Sequence, residues 1–349
     1  MSAQIIHWGL ALVPVLVMLG LFRWLDAFEL MSMREIMILL ALGGVAAIAC
    51  YPISGRMIDT LPIGFSNYSR YFAPWIEEIA KGLIVVALFR FNKIGYKLDA
   101  VISGFAIGAG FSLIENIIYL MRLPDFGAGT WLVRGLGTAV MHGTTVAILA
   151  ASAQELAERE NREHAGEFDF RLWWFLPGLL AAVAIHTSFN QFPDQPMLAM
   201  MGIAMVAPVL IIFILNFGTS EAQAWLGGEV ERHRAELAAF DSGGWPEGKA
   251  TARVVALAER IGPAKAQHIR DYWRTQAYLV VEAEESLIEE SEGDVKLDSG
   301  KVRSAFADLD RLRRELGKST ASELSRLLPF SRNDQWEVNE LRQRIGRTG

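Results

Sequence analysis

Seven stretches of about 20 mostly apolar residues constrain the fold of this chain more than any other feature, because a helix of that length crosses a bilayer core. The excess of apolar residues lies almost entirely before about residue 217, and charged residues dominate after it. The sequence therefore predicts an all-α protein with a polytopic transmembrane helix bundle at residues 1–217 and a soluble helical C-terminal region at residues 218–349. The predicted spans are residues 5–22, 36–53, 72–90, 100–121, 131–152, 172–190 and 197–217.

Lys and Arg residues in the short loops predict the orientation of these spans, because positive charge favours the cytoplasmic side. With the N-terminus outside, eight such residues fall in inner loops and three in outer loops. We therefore predict a multi-pass protein with an outer N-terminus and a cytoplasmic C-terminus. The inner residues are Arg23, Arg34, Arg90, Lys93, Lys97, Arg159, Arg162 and Arg171, and the outer ones are Arg56, Arg70 and Arg122.

The C-terminal region has the periodicity of amphipathic helices. Apolar residues recur at intervals of three and four over 269–281 and 302–316, and Gly-Pro-containing segments at 243–246 and 262–263 predict breaks between helices. The region offers no catalytic constellation. We expect an interaction or regulatory module with a cytoplasmic partner of unknown identity. The net charge of -6 gives no reason to expect nucleic acid.

Ionisable residues within the predicted spans are the main functional signal. Each costs roughly 2.5–3.5 kcal/mol in a bilayer core, so a cluster needs a bundle interior or a water-filled cavity. The third span holds Glu77, Glu78 and Lys81, and Lys81 can pair with either carboxylate across one helical turn. A buried ion pair that only fixes helix packing would give the same pattern.

Three further spans add polar groups, which makes packing alone a weaker explanation. With a rise of 1.5 Å per residue, the groups of spans three, four and six lie about 6 to 9 Å below the outer edge, and His142 lies about 16 Å below it. Neighbouring glycines predict close helix packing. The polar residues are Glu115, Asn116, His142, His186 and Asn190, and the glycines are Gly104, Gly108, Gly110, Gly135, Gly137 and Gly143.

Carboxylates and imidazoles at these positions are suited to the hydrolysis of a peptide bond. Glu and His can hold a divalent metal such as Zn²⁺ and leave one position open for water. A second carboxylate can then act as the general base, and Asn190 can donate to an oxyanion. A metal-free mechanism, in which a Glu and a His activate water, fits the same residues.

The motifs together resemble those of the PrsW family of bacterial membrane proteases, which is similar to the broader group of CAAX prenyl endopeptidases and bacteriocin-processing proteins. The resemblance implies an intramembrane protease of the bacterial inner membrane that cleaves a membrane protein near its extracytoplasmic face. An anti-sigma factor or a similar signalling protein is the implied type of substrate. The matching motifs are Glu77-Glu78-x-x-Lys81, Phe111-x-x-x-Glu115, His142 and His186-x-x-x-Asn190.

Position by position, the resemblance implies that Glu77 activates water with support from Glu78. Glu115 and His142 become metal ligands or polarising groups. His186 becomes a third metal ligand, or it holds the oxyanion together with Asn190. Lys81 and Asn116 have supporting roles.

Two other functions remain compatible with the residues alone. Intramembrane Glu, Lys and His also occur in the proton relays of transporters, so a proton- or cation-coupled transporter is one alternative. Inverted repeats would favour it, and none is evident in the sequence. A non-catalytic signalling scaffold acting through residues 218–349 is the other.

Overall fold

The structure of the protein, a computed structural model, describes residues 2–25, 31–122, 126–163, 170–216, 219–292 and 298–347. The regular elements of these residues are all helical, and the prediction of an all-α fold is confirmed. The first nine α-helices are α1 Ser2–Leu25, α2 Met33–Thr60, α3 Gly64–Asn67, α4 Ala73–Arg90, α5 Lys97–Arg122, α6 Ala128–Leu132, α7 Ala139–Glu163, α8 Phe175–Phe189 and α9 Pro196–Asn216. The others are α10 Thr219–Asp241, α11 Lys249–Ile261, α12 Pro263–Glu292, α13 Ser299–Leu316, α14 Lys318–Leu327 and α15 Arg332–Arg347.

The chain divides into two compact units. The first comprises Met1–Ala157 and Phe170–Phe217, and the second comprises Glu158–Asp169 and Gly218–Gly349. The catalytic and regulatory roles that the sequence analysis assigned to the two regions stay predictions.

Five helical segments in the described part of the chain are long and apolar enough to cross a membrane. The first predicted span coincides with α1, whose described apolar stretch is the shorter Gln4–Met18. The third coincides with α4, which carries Glu77, Glu78 and Lys81. The sequence prediction of about seven spans counts α1 and α4 in addition to the five long apolar segments. The five segments are Met33–Thr60, Lys97–Arg122, Ala128–Glu160, Leu172–Phe189 and Pro196–Asn216.

The outer helices of the first unit present apolar faces that no other part of the unit covers. On α9, Met205, Val209 and Phe213 follow one another at intervals of four residues, and each is more than half exposed. Large contiguous apolar faces are unfavourable in water and favourable in lipid. The faces fit a bilayer as the solvent, and the protein is a multi-pass membrane protein.

Helices α5 and α7 form the buried centre of the first unit. A Cβ atom at Gly110 of α5 would overlap the carbonyl oxygen of Leu40 in α2, and one at Gly108 would overlap that of His142 in α7. The absence of side chains lets the helix backbones approach closely, as small residues do in membrane bundles. Of the six glycines predicted to support close packing, Gly104 and Gly135 also meet the backbone of a neighbouring helix, whereas Gly137 and Gly143 meet the side chains of Met200 and Phe105.

The second unit is a helical domain built around α12, which packs against α10, α11, α13 and α15. The two periodic segments are helical in the structure, as predicted, and most of their apolar residues lie in the core of this unit. Val281 is only partly buried. The helices are interrupted at the predicted glycine positions, where Gly243 and Gly262 have φ values of 87° and 99°. Such values favour glycine because it lacks a Cβ atom.

Candidate functional site

The acidic motif of the third predicted span lies near the start of α4. Pro74 lies in its first turn, directly after the π-helical turn Tyr68–Phe72. Glu78 and Lys81 are completely buried, and Lys81 Nζ lies 2.6 Å from Glu78 Oε1. The sequence allowed Lys81 to pair with either glutamate, and the structure pairs it with Glu78.

Lys81 also connects α4 to α7. Its Nζ lies 2.8 Å from His142 Nδ1 and 4.6 Å from the centre of the Phe111 ring, a cation–π distance. His142 is buried where Gly108 lets α5 approach α7. The lysine is thus held by a carboxylate, an imidazole and an aromatic face.

His186, near the end of α8, completes the contact between three helices. Its Nδ1 lies 2.7 Å from Glu78 Oε1, and its Nε2 lies 3.9 Å from Glu77 Oε2. The His142 and His186 rings are 4.9 Å apart at an interplanar angle of 89°. The two histidines therefore face one small volume, with Glu77 at its side.

Glu115 on α5 reaches the same volume from a different direction. Its Oε2 lies 3.5 Å from His142 Nε2 and 2.9 Å from Arg134 Nη2. The Arg134 guanidinium lies 3.7 Å from the centre of the Tyr119 ring. Arg134 thereby fixes the carboxylate next to the histidine while it stacks on an aromatic face.

The two asparagines make helix contacts instead of joining this network. Asn116 Nδ2 donates to Ala11 O at 3.0 Å and to Arg134 O at 3.2 Å, which suits the predicted supporting role. Asn190 Nδ2 donates to Ser69 O at 2.9 Å. The predicted oxyanion role of Asn190 stays a prediction.

Two π-helical turns lie beside the network, at Tyr68–Phe72 before α4 and at Val133–Thr138 before α7. Such wide turns are rare and occur frequently at functional sites. The first accepts the hydrogen bond from Asn190 at Ser69, and the second carries Arg134. The turns thus hold two polar contacts next to the histidines.

Six of the eight predicted site residues therefore converge from helices α4, α5, α7 and α8. The comparison with known families agrees with this arrangement. Residues 33–216, more than half of the chain, match the family described as PrsW family intramembrane metalloprotease.

The chain belongs to the PrsW family.

It is accordingly a membrane-embedded peptidase, and the match covers all four helices that supply the network. The family assignment supports proteolysis over the transporter and scaffold alternatives. In two further comparisons, no curated protein and no solved structure matches the chain.

The donor set fits the metal that the PrsW family description implies. Glu77, His142 and His186 offer ligand atoms that all lie within 4.8 Å of one another. Glu77 Oε2 is buried and lacks a hydrogen-bond partner in the described residues. Glu78 and Glu115 have Lys81 and Arg134 as counter-charges, whereas the ion-pair contact of Glu77 in the described part of the chain is to a histidine.

Arg134 is the main site residue that the sequence analysis missed. It lies within the fifth predicted span, where an arginine is as costly as the glutamates that drew attention. The cost of a charged residue in a span was therefore the sequence signal that could have identified Arg134 as a site residue. Its pairing with Glu115 could not be read from spacing, because the two residues lie on different helices.

Proposed function

We propose that this PrsW-family protease hydrolyses a peptide bond at a metal centre held by Glu77, His142 and His186. The main support for the proposal is that one ligand atom from each of these three residues lies within 4.8 Å of the others. In addition, Oε2 of Glu77 has no hydrogen-bond partner among the described residues. Glu77 takes the ligand role that the sequence analysis gave to Glu115. The two carboxylates thus exchange functions relative to that expectation.

Zn²⁺ is the metal that best suits this set. Two histidines and one glutamate leave a fourth tetrahedral position open, as catalytic zinc sites do. When bound, the metal supplies Lewis-acid polarisation of a carbonyl oxygen and lowers the pKa of water at the site. The chain itself must then orient the ligands, accept the proton and shield the reaction from bulk water.

Glu78 orients His186. Its Oε1 accepts the Nδ1 proton of the ring, which directs the lone pair of Nε2 towards Glu77. A carboxylate behind a metal-binding histidine fixes both the tautomer and the direction of the ring. Lys81 in turn holds Glu78, so the support for His186 extends across α4 to α7.

His142 lies between Lys81 and Glu115. The Lys81 ammonium donates to Nδ1, so the ring proton lies on Nε2 and faces Glu115 Oε2 at 3.5 Å. A metal held through Nε2 would require that nitrogen to give up its proton.

Glu115 is our assignment for the general base. It is the remaining carboxylate at the histidines, and with a 20 % exposed side chain it is more accessible than Glu77 at 12 %. The ion pair with Arg134 keeps its Oε2 3.5 Å from His142. From this position Glu115 accepts a proton from water and returns it to the leaving amine.

We further propose that the active site faces the extracytoplasmic side of a bacterial inner membrane. The support is the excess of Lys and Arg in loops that are internal when the N-terminus lies outside. A membrane-anchored signalling protein, such as an anti-sigma factor, is the substrate class that fits this position. Residues 218–349 would then meet a cytoplasmic partner.

Topology can be tested with reporters fused after Gly349. A fluorescent protein that matures in the cytoplasm should fluoresce, and alkaline phosphatase should be inactive. The reverse pattern would overturn the proposed orientation.

Proteolysis can be tested by comparing the membrane proteomes of cells that express the wild type or His186→Ala. A substrate should accumulate intact in the variant, and its shortened form should disappear. His268→Ala, which changes a half-exposed histidine of the second unit, is the matched control and should match the wild type. Identical proteomes for the wild type and His186→Ala, at equal protein levels, would contradict the site assignment.

A further inference from the structure

A second cluster of metal-ligating residues lies in the C-terminal unit, outside the part of the chain that matches the PrsW family. His233 comes from α10, Glu284 from α12 and Asp334 from α15. Their side chains are 0 %, 4 % and 3 % exposed. The sequence analysis found no constellation in this region, because residues so far apart along the chain give no spacing signal.

The imidazole of His233 lies between the two carboxylates. Its Nδ1 lies 2.9 Å from Glu284 Oε1, and its Nε2 lies 3.5 Å from Asp334 Oδ2. One ligand atom from each of the three residues lies within 4.8 Å of the others. The separation is small enough for one ion to contact all three after side-chain adjustment, since metal–ligand bonds at such sites measure about 2.0–2.2 Å.

Two buried oxygens at the cluster lack hydrogen-bond partners in the described part of the chain. One is Glu284 Oε2, on the carboxylate that contacts His233. The other is Oε2 of Glu236, one turn after His233 on α10, whose carboxylate also has the Trp273 indole N–H as a neighbour. A buried carboxylate oxygen without a partner is costly, so Glu284 Oε2 points to a cation as the missing partner.

The charge balance supports the same conclusion. Glu236, Glu284 and Asp334 place three carboxylates around one histidine. Arg232 is a neighbouring cation, and its Nη2 lies 3.0 Å from His233 Nε2. Because a guanidinium only donates, this contact makes Nε2 the acceptor and places the ring proton on Nδ1, towards Glu284.

Asp334 is oriented before any ion binds. Its Oδ2 accepts from Ser331 N at 2.6 Å and its Oδ1 from Ser331 Oγ at 2.7 Å, while Asp334 N donates back to Ser331 Oγ at 3.1 Å. These bonds form a capping box at the start of α15. The carboxylate retains further lone pairs for a metal.

We propose that His233, Glu284 and Asp334 form a structural site for a divalent first-row transition-metal ion that joins α10, α12 and α15. The ion takes the lone pair of one ring nitrogen: at Nε2 it displaces the Arg232 guanidinium, and at Nδ1 it moves the ring proton to Nε2, which also ends the contact with Arg232. One imidazole with carboxylates suits Zn²⁺ or Mn²⁺, whereas Mg²⁺ and Ca²⁺ prefer ligand sets made of oxygen alone. We assign the ion a structural role because it would join three helices of one helical domain.

The test uses the full-length protein in detergent. Every sample carries Glu77→Gln and His186→Gln, so that the proposed catalytic centre does not contribute to the metal count. After removal of metal with a chelator, ZnCl₂ is added, unbound metal is removed, and bound zinc per chain is measured together with the melting temperature. MnCl₂ and MgCl₂ are the comparison probes.

We expect roughly one zinc ion per chain and a rise in melting temperature of about 5 °C, the size expected for a ligand well above its dissociation constant. Adding His233→Asn or Glu284→Gln should remove both effects. His268→Asn, which changes a half-exposed histidine 3.6 Å from Glu315, should retain them. MgCl₂ should produce no rise.

Absence of zinc from the parent sample would overturn the proposal, as would equal zinc in the parent and in the Glu284→Gln sample. Circular dichroism checks that each variant is helical. If His233→Asn fails this check, Glu284→Gln decides, because it preserves size and keeps a hydrogen-bond acceptor for His233. Since two of the three proposed catalytic ligands are replaced in every sample, neither result depends on the proposed catalytic metal.

Discussion

His186 Nδ1 lies 2.7 Å from Oε1 of Glu78, a carboxylate with no exposed surface. The same oxygen lies 2.6 Å from Lys81 Nζ, so one buried atom links the histidine of α8 to the lysine that contacts His142. We therefore propose that the second glutamate of the motif is a positioning residue. The first glutamate, Glu77, is the one left without a cation in the described part of the chain.

Replacement of Glu78 tests this division of roles. Glu78→Gln should lower zinc affinity and peptidase activity by about 10–100-fold, the usual effect of removing a carboxylate behind a metal-binding histidine. It should also lower stability by about 3–5 kcal/mol, because Lys81 stays buried without its partner. Glu78→Gln/Lys81→Met should recover stability, measured by thermal unfolding, without recovering zinc affinity. Recovery of both would show that Glu78 serves packing alone.

Arg134 should act on catalysis through Glu115. Arg134→Gln removes the ion pair at 2.9 Å and should lower kcat by about 10-fold or more, while KM should change little because we assign Arg134 an action through Glu115 alone. Arg134→Lys should restore part of kcat, since it keeps the charge without the planar stacking on Tyr119. Steady-state kinetics on a fluorogenic peptide would measure both. A change confined to KM would place Arg134 in substrate binding instead.

Gly108 should be essential for the position of His142. Gly108→Ala places a methyl group where the His142 carbonyl oxygen lies, so α5 and α7 must separate and the histidine must shift. We expect loss of cleavage and a lower melting temperature. The matched control is Gly202→Ala in α9, where a Cβ atom meets no neighbour within 4 Å. Equal effects of the two substitutions would show that close approach at Gly108 is unimportant.

The core of the C-terminal unit should depend on Trp273. Its side chain is buried on α12, with ring centres 5.4 Å from Phe240 and 6.0 Å from Trp245. Trp273→Ala should destabilise this unit by about 3–5 kcal/mol through the cavity left behind. Limited proteolysis should then cleave residues 218–349 earlier than in the wild type, while Trp173→Ala, an exposed tryptophan before α8, should have little effect on that cleavage. Unchanged proteolysis of Trp273→Ala would contradict the packing role.

The helical bundle and most of the site could be predicted because their signals are local. Apolar length indicates spans, and ionisable residues within them stand out by cost. Spacing placed Glu77, Glu78 and Lys81 on one helix face, but the i,i+3 and i,i+4 pairs are equivalent within a helix. The approach of His186 from α8 to Glu78 distinguishes them, and only the folded protein shows it.

Contacts between distant segments could not be predicted, because they leave no local signal in the sequence. Asn190 was expected to face an oxyanion, whereas its amide donates to Ser69 in a preceding π-helical turn. His233 and Glu284 lie 51 residues apart, and ordinary amphipathic patterning gave no sign that they meet. Helix periodicity specifies which face is buried, but it does not specify which buried polar groups become neighbours.

The most direct test compares the zinc content and activity of Glu77→Gln and Glu115→Gln, each in full-length protein that also carries Glu284→Gln so that only the membrane cluster is counted. Our account predicts that Glu77→Gln loses both zinc and cleavage. Glu115→Gln should keep roughly one zinc per chain and lose cleavage by about 10²–10⁴-fold, as expected for a general base. Zinc retained in Glu77→Gln and lost in Glu115→Gln would contradict this assignment of the two glutamates.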